Sequence, residues 1–334
     1  MPETEDMIPA LRIRNFRLFK ELDIENLKRV NLFAGKNNTG KTALLEALRI
    51  MGEADNISVL RYVLEQRGEF KFEPWNMLDS VYSRPELERL KQDNQNPLVL
   101  SINHYELTRK YIGERNVNYT LANTNNPNSE PLALGNFHLQ QPQPIIPKDR
   151  FVFVPFNAKE YFPLNYYWDK IALTALEDDL VEILKETILP NLVRIDVQQN
   201  DRVVVRLKEE SKPIPLKNLG DGAQRMFLMA LALINAKDSV LLIDEIETGL
   251  HYSVLEQLWE MIFKYAVQLN IQVFATTHSQ DTIRAFTYLL EKEEYEQEGC
   301  FFRLQANRKD GQIEAIALGK ERLEAALETQ SEIR

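Results

Sequence analysis

Gly35-Lys36-Asn37-Asn38-Thr39-Gly40-Lys41-Thr42 is the stretch whose reading decides the fold. It satisfies the phosphate-binding pattern G-x-x-x-x-G-K-[ST] without a departure. Before it, Val30-Asn31-Leu32-Phe33-Ala34 reads as a short buried strand; after it, Ala43 to Ile50 reads as a helix with Leu44, Leu45 and Leu48 on one side. Strand, glycine turn and helix in that order aim successive backbone N–H groups at an anion, at the positive end of the helix dipole. Gly35 and Gly40 let the backbone curl, so that the amides from Asn37, Asn38 and Thr39 onward can point inward. Lys41 would reach the β- and γ-phosphates of ATP, and the Thr42 hydroxyl would ligate Mg2+.

Two further strands complete such a site. Val240-Leu241-Leu242-Ile243-Asp244-Glu245 is an apolar run ending in two carboxylates, the pattern of a buried parallel strand whose C-terminal end opens onto a ligand. Asp244 would hold Mg2+ through water, opposite Thr42, and Glu245 would orient or deprotonate the attacking water. Ile271-Gln272-Val273-Phe274-Ala275-Thr276-Thr277-His278 is another buried strand, ending in histidine. Alone, such a histidine is as readily a polar stop; beside a phosphate loop and a carboxylate strand it reads as a switch contacting the γ-phosphate. Ser279 reads as the N-cap of the next helix.

Leu219-Gly220-Asp221-Gly222-Ala223-Gln224-Arg225 runs into the apolar helix Met226 to Ile234. Its glycines free the backbone where a helix begins, which makes a second anion-binding terminus. An ordinary turn and cap is the plainer reading. One chain rarely needs two phosphate cradles for one nucleotide, whereas a dimer that closes each ATP between two subunits uses both.

Elsewhere the patterns are structural. Residues 11–34 read as two strands around a turn, with Arg12, Arg14 and Arg17 either on a solvated edge or facing a nucleotide or DNA. Residues 52–96 read as weakly patterned helix, and Gln66 is a candidate γ-phosphate sensor. From Leu98 the period becomes two, and Val117, Tyr119 and Leu121 alternate likewise, which predicts an antiparallel meander. The Asn/Pro/Gln-rich stretch from Asn123 through Pro147 reads as one long loop. Phe151 to Phe156 reads as a buried strand, Ala175 to Ile188 as a helix with Leu176, Leu180, Val181, Leu184 and Ile188 on one stripe, and Val193–Val197 with Arg202–Leu207 as a hairpin.

Composition bounds the rest. At 334 residues the chain holds one large domain or two modest ones. The longest apolar run, Met226 to Ile234, is too short to span a bilayer, so no membrane role is expected. The acidic N-terminus lacks the apolar core of a signal peptide. A single cysteine, Cys300, excludes an intrachain disulfide and points to a reducing cytoplasm. The net charge of −10 argues against a uniformly basic nucleic-acid binder while leaving room for a local basic groove.

Taken together, these motifs resemble the ATP-binding-cassette superfamily in its RecF/SMC/OLD branch, over residues 11–50 and 216–280 and more loosely over 151–197. Gly35 to Thr42 is similar to the Walker A loop, Ile243-Asp244-Glu245 to the end of Walker B, and Leu219 to Gln224 to the signature turn. His278 resembles the switch histidine, and Glu247-Thr248-Gly249-Leu250-His251 sits where the D-loop lies. The resemblance implies an α/β P-loop fold with a mixed sheet, an antiparallel β layer and a helical lobe. It implies one ATPase head, with lobe I at about 1–160 and 240–334 and a signature lobe at about 161–239. It implies Mg2+ and ATP as cofactors, with Leu219, Gly220, Asp221 and Gly222 meeting the nucleotide of a partner copy in a homodimer or higher oligomer. Two departures stand out: Gly220 replaces the usual serine, and Ile246 the usual proline. Too few residues follow His278 for the Toprim module of OLD nucleases, so a stand-alone ATPase is expected. It would serve a separately encoded nuclease or toxin effector in antiphage defence, or DNA repair in the manner of RecF.

Overall fold

The computed structural model describes residues 7–52, 98–102, 105–112, 116–123, 132–136, 151–158, 162–198 and 201–328. The helical reading of 52–96, beyond Gly52, and Gln66 with it, lie outside the described residues. In chain order the elements are β1 (Leu11–Phe16), β2 (Phe19–Ile24), β3 (Val30–Ala34), α1 (Lys41–Gly52), β4 (Leu98–Ile102), β5 (Tyr105–Ile112), β6 (Asn116–Asn123) and β7 (Leu132–Asn136). There follow β8 (Phe151–Val154), α2 (Leu164–Ile171), α3 (Ala175–Thr187), β9 (Leu192–Gln198), β10 (Arg202–Leu207), β11 (Ile214–Pro215) and α4 (Asp221–Asn235). The chain ends with β12 (Val240–Ile243), α5 (Leu255–Gln268), β13 (Gln272–Thr277), α6 (Gln280–Leu290), β14 (Gly299–Ala306), β15 (Ile313–Leu318) and α7 (Lys320–Glu328).

Residue contacts divide the chain into two compact units, 1–27 with 42–148 and 305–315, and 28–41 with 149–304 and 316–334. These bounds differ from those of the two lobes expected from the sequence. The first unit carries a six-stranded antiparallel sheet in the order β2-β1-β4-β5-β6-β7, the meander that the period-two pattern predicts. Along β1 and β2, Leu11, Ile13, Leu22 and Ile24 are buried, while Arg12 meets Asp23 and Arg14 meets Glu21 in exposed ion pairs. Arg12 and Arg14 therefore stand on a solvated face. Arg17, in the tight β1–β2 turn, instead makes a largely buried ion pair with Glu46 of α1 at 2.7 Å. β7 interrupts the stretch read as one loop; its five residues, Leu-Ala-Leu-Gly-Asn, are too few to show through the surrounding asparagine and proline.

In the second unit a six-stranded sheet runs β15-β14-β3-β13-β12-β8, and the five strands from β14 to β8 are parallel. Strands β3, β12 and β13 are buried along their whole length, as the central strands of a parallel sheet should be, with Asn31, Gln272, Thr276 and Thr277 buried among the apolar residues. α4 contributes ten consecutive buried residues, Arg225 to Ile234, and starts at Asp221, earlier than its apolar run suggests. α3 is capped by Thr174, whose hydroxyl accepts from the Leu176 amide, and it buries Leu180, Ile183 and Leu184. Ile183 was missing from the expected stripe. α2 gave no clear signal, because Tyr166, Tyr167 and Trp168 are as much at home in strands. β9, β10 and β11 form a small antiparallel sheet that contains the expected hairpin. Among the described residues no helix is long and apolar enough to cross a membrane.

Candidate functional site

The strand order does what the linear sequence cannot. β13 lies between β3 and β12, with Thr277 paired to Ala34 and Ala275 to Ile243. Three parallel strands thus end side by side, and the residues that follow them are Gly35, His278 and Asp244.

At the first end the phosphate loop is wound tightly on itself. A Cβ at Gly35 would lie 2.5 Å from Thr39 Oγ1 and 2.6 Å from the Leu304 carbonyl oxygen, so only glycine fits. Asn38 and Gly40 take left-handed backbone at φ 65° and 91°. The Thr39 hydroxyl donates to the Lys36 carbonyl at 2.8 Å, and Lys36, Asn37 and Asn38 are exposed. The Lys41 ammonium, on a residue 8% exposed, folds back to donate to the carbonyls of Gly35 at 2.7 Å and Lys36 at 3.0 Å. Burial lowers the Lys41 pKa, and the charges of Glu245, Asp244 and Glu247 oppose that shift. Thr42 follows as the second residue of α1.

At the second end Asp244 is 2% exposed and accepts the Thr276 hydroxyl at 2.6 Å. The same Thr276 oxygen accepts the Glu245 amide at 2.9 Å, so one β13 side chain ties the Asp244 carboxylate and the Glu245 backbone to its own strand. Glu245 sits at φ 46°, a left-handed conformation costing a non-glycine residue about 1 kcal/mol. The Ile246 amide donates to the Thr276 carbonyl at 3.1 Å. A proline there would have no N–H to offer and would lose this bond.

His278 begins just past β13, with its Nδ1 3.6 Å from Glu245 Oε1 and 3.3 Å from Glu247 Oε1. Ser279 caps α6 as expected, accepting the Thr282 amide at 3.3 Å. Glu247, only placed in a D-loop-like segment from the sequence, belongs to this cluster. Its carboxylate accepts the Thr277 hydroxyl at 2.8 Å and the His278 amide at 3.1 Å. Arg225 is the second residue to which no role was given. It is 5% exposed, with Nε and Nη2 buried and without a hydrogen-bond partner among the described residues. Burial lowers its pKa to about 10, against the pull of Glu247 and Asp244. An arginine opening a ten-residue buried run was the available signal.

The signature turn is built differently from the phosphate loop. Gly220 takes φ 98° and ψ 165°, and α4 begins after it with no side-chain cap. Leu219 to Gly222 border open surface: Leu219 is 37% exposed, and a Cβ on Gly220 or Gly222 would meet nothing within 4 Å. Asp221 heads the helix and its carboxylate accepts from the Gln224 side-chain Nε2 at 3.2 Å.

Comparison with known proteins agrees with this geometry. The family description "AAA ATPase domain" matches residues 7–192, more than half of the chain. The chain belongs to this ATPase family. A second description, "AAA domain, putative AbiEii toxin, Type IV TA system", matches residues 105–284 of the ATPase. A Helicobacter pylori protein named "ATP/GTP phosphatase" is 24% identical to it over 344 residues, covering 90% of this chain and 92% of that one. The "DNA replication and repair protein RecF" of Clostridium kluyveri is 51% identical over 41 residues, 12% of this chain and 11% of that protein. An SMC head, solved as "SmcHead bound to the C-winged helix domain of ScpA", superposes with a TM-score of 0.53 at 11% identity, covering 96% of this chain and all of that one. The ATPase thus has the SMC-head fold expected from its motifs and is of RecF/SMC/OLD type.

Proposed function

We propose that this ATPase binds Mg2+-ATP, dimerises head-to-tail around it, hydrolyses it slowly, and thereby controls a DNA-linked process. The observation that carries this reading is the convergence of Gly35, Asp244 and His278 at three adjacent strand ends. On binding, Lys41 would exchange its loop carbonyls for phosphate oxygens. Asp244, buried beside a hydroxyl, offers a hard oxygen donor of the kind Mg2+ accepts alongside phosphates, and Thr42, next to Lys41 in the chain, is the second candidate. Bound Mg2+ would neutralise charge on the β- and γ-phosphates. Glu245 would orient the attacking water and accept its proton, and His278 would contact the γ-phosphate. The uncapped start of α4, Leu219 to Gly222, would receive the γ-phosphate bound by a partner copy.

The toxin–antitoxin wording of one family description supports a place in antiphage defence. A separately encoded nuclease or toxin would be its effector, and a single cysteine fits a reducing cytoplasm. The short RecF match supports DNA repair as the second reading. Gly220, with no hydroxyl for a phosphate, favours a third, a nucleotide-bound scaffold of little turnover. ATP turnover measured with and without DNA separates these, since a scaffold stays idle in both conditions. Glu245→Gln should retain ATP binding, slow hydrolysis about a hundredfold, and accumulate an ATP-bound dimer by light scattering. Gly222→Glu should bind ATP yet neither dimerise nor turn over, and mixing it with Lys41→Ala should restore part of the activity. Wild-type turnover by Gly222→Glu alone would remove the composite site.

A further inference from the structure

Two exposed strand faces of this chain treat their arginines in opposite ways. On β1 and β2, Arg12 stands across from Asp23 and Arg14 across from Glu21, and each pair closes as a salt bridge. On β9 and β10 the residue across from Arg194 is Arg206. Both are exposed, and neither makes an ion pair or a side-chain hydrogen bond among the described residues. Like charges directly opposite one another work against the pairing of two strands. Packing does not ask for them either, since the neighbouring Ile195 and Val205 point the other way, into the core. Arg202, also exposed and unpaired among the described residues, lies on the same outward face, four residues back along β10. Asp196 is the one carboxylate on that face of the two strands; it stands across from Val204 and pairs with none of the arginines. The net charge of the chain is −10, so three unpaired arginines on one sheet face run against its overall balance. The turn after β10 does not extend the patch, because Glu209 and Glu210 there offset Lys208 and Lys212.

We propose that the outward face of β9 and β10 is a DNA-binding surface of this ATPase, with Arg194, Arg202 and Arg206 holding phosphates of the duplex backbone. Its charge selects a polyanion, and the planar fork of arginine suits phosphate oxygens. From Arg202 to Arg206 is roughly 13 Å at the rise of an antiparallel strand, a length over which one DNA strand carries about four phosphates. Contacts of this kind go to the backbone and carry no sequence preference. The face is also continuous with the signature turn. β11 pairs with β10, placing Pro215 across from Val204, and Gly220 follows after a single turn of helix. Bound DNA would therefore bear on the segment that leads into α4.

The identity of the partner rests on the reading of a DNA-linked process, and the test keeps the two apart. Anisotropy of a short, labelled DNA duplex is followed with the full-length protein across a salt series. Arg194→Ala/Arg206→Ala should weaken binding at least about tenfold at low salt and reduce the slope of log affinity against log salt by about two. Its melting temperature should stay close to the wild-type value, because the pair removed is a like-charged one. Adding Arg202→Ala should lower the slope by about one more. A control with equal loss of charge, Lys237→Ala/Lys309→Ala in exposed turns, should bind within about twofold of wild type. Undiminished binding by the arginine variant, or an equal loss in the lysine control, would overturn the proposal and leave the DNA-linked reading standing. Failure of the wild-type protein to bind DNA would sink both. Preference for polyglutamate over DNA would do the same and assign the face to an acidic protein. If the arginines hold DNA while ATP turnover ignores it, the surface stands and the DNA-linked reading of the ATPase falls.

Discussion

The ATPase has two glycine turns that open helices, and they solve different problems. In Gly35–Thr42 the chain itself demands the glycine, because a Cβ at 35 would strike Thr39 and the Leu304 carbonyl. The carbonyls of Gly35 and Lys36 are engaged by Lys41, so the loop is shaped from within. In Leu219–Gly222 the backbone demands glycine only at 220, through its φ of 98°; Gly222 lies in the first turn of α4 with open space around it. Nothing inside the described chain explains a glycine there. A pocket organised by its own atoms can bind within one subunit; in the proposed dimer, an uncapped helix terminus would be half of a site.

Alanine substitution at these glycines, set beside loss of the loop lysine, tests the contrast directly. Gly35→Ala should cost about 3 kcal/mol, lowering the melting temperature and abolishing ATP binding together; a folded variant that binds ATP would mean the loop is not packed from within. Lys41→Ala should spare the fold but weaken ATP at least about a hundredfold by calorimetric titration. Retained affinity would remove this stretch from the nucleotide site. Gly220→Ala should destabilise by about 2 kcal/mol, because its φ and ψ lie where only glycine is comfortable. Gly222→Ala should do the opposite, gaining about 0.5 kcal/mol in thermal unfolding from better helix propensity, while turnover should fall because, in the proposed dimer, the added methyl would face a partner's phosphate. A Gly222→Ala protein that is both more stable and fully active would erase the difference between the two turns.

How much was legible varied with the range of the interactions involved. The phosphate loop was readable because its chemistry is local: glycine spacing, a lysine and a hydroxyl within eight residues. β3, β12 and β13 were readable because strands buried on both faces are largely apolar and show no period-two alternation. β7 and α2 were not, being short and mixed in propensity. The helical start at Asp221 was hidden because the first turn of α4 is polar and glycine-containing, and its helicity comes from the buried run that follows. Glu247 was placed only within a D-loop-like segment and Arg225 only at the end of the glycine turn, neither with a role. Each acquires meaning only from what lies across from it.

By itself the sequence determined which chemistry the chain can perform: an anion cradle with a cation at 41, a strand ending in two carboxylates, and a strand ending in histidine. Only the tertiary structure decided that these meet. β13 is formed from residues 272–277, yet it inserts between β3 at 30–34 and β12 at 240–243. Its pairing with β3 joins segments more than two hundred residues apart, which no local pattern encodes. It sets Thr276 against Asp244 and Glu245, Glu247 against His278, and leaves Glu245 in a left-handed turn that local preference alone would refuse.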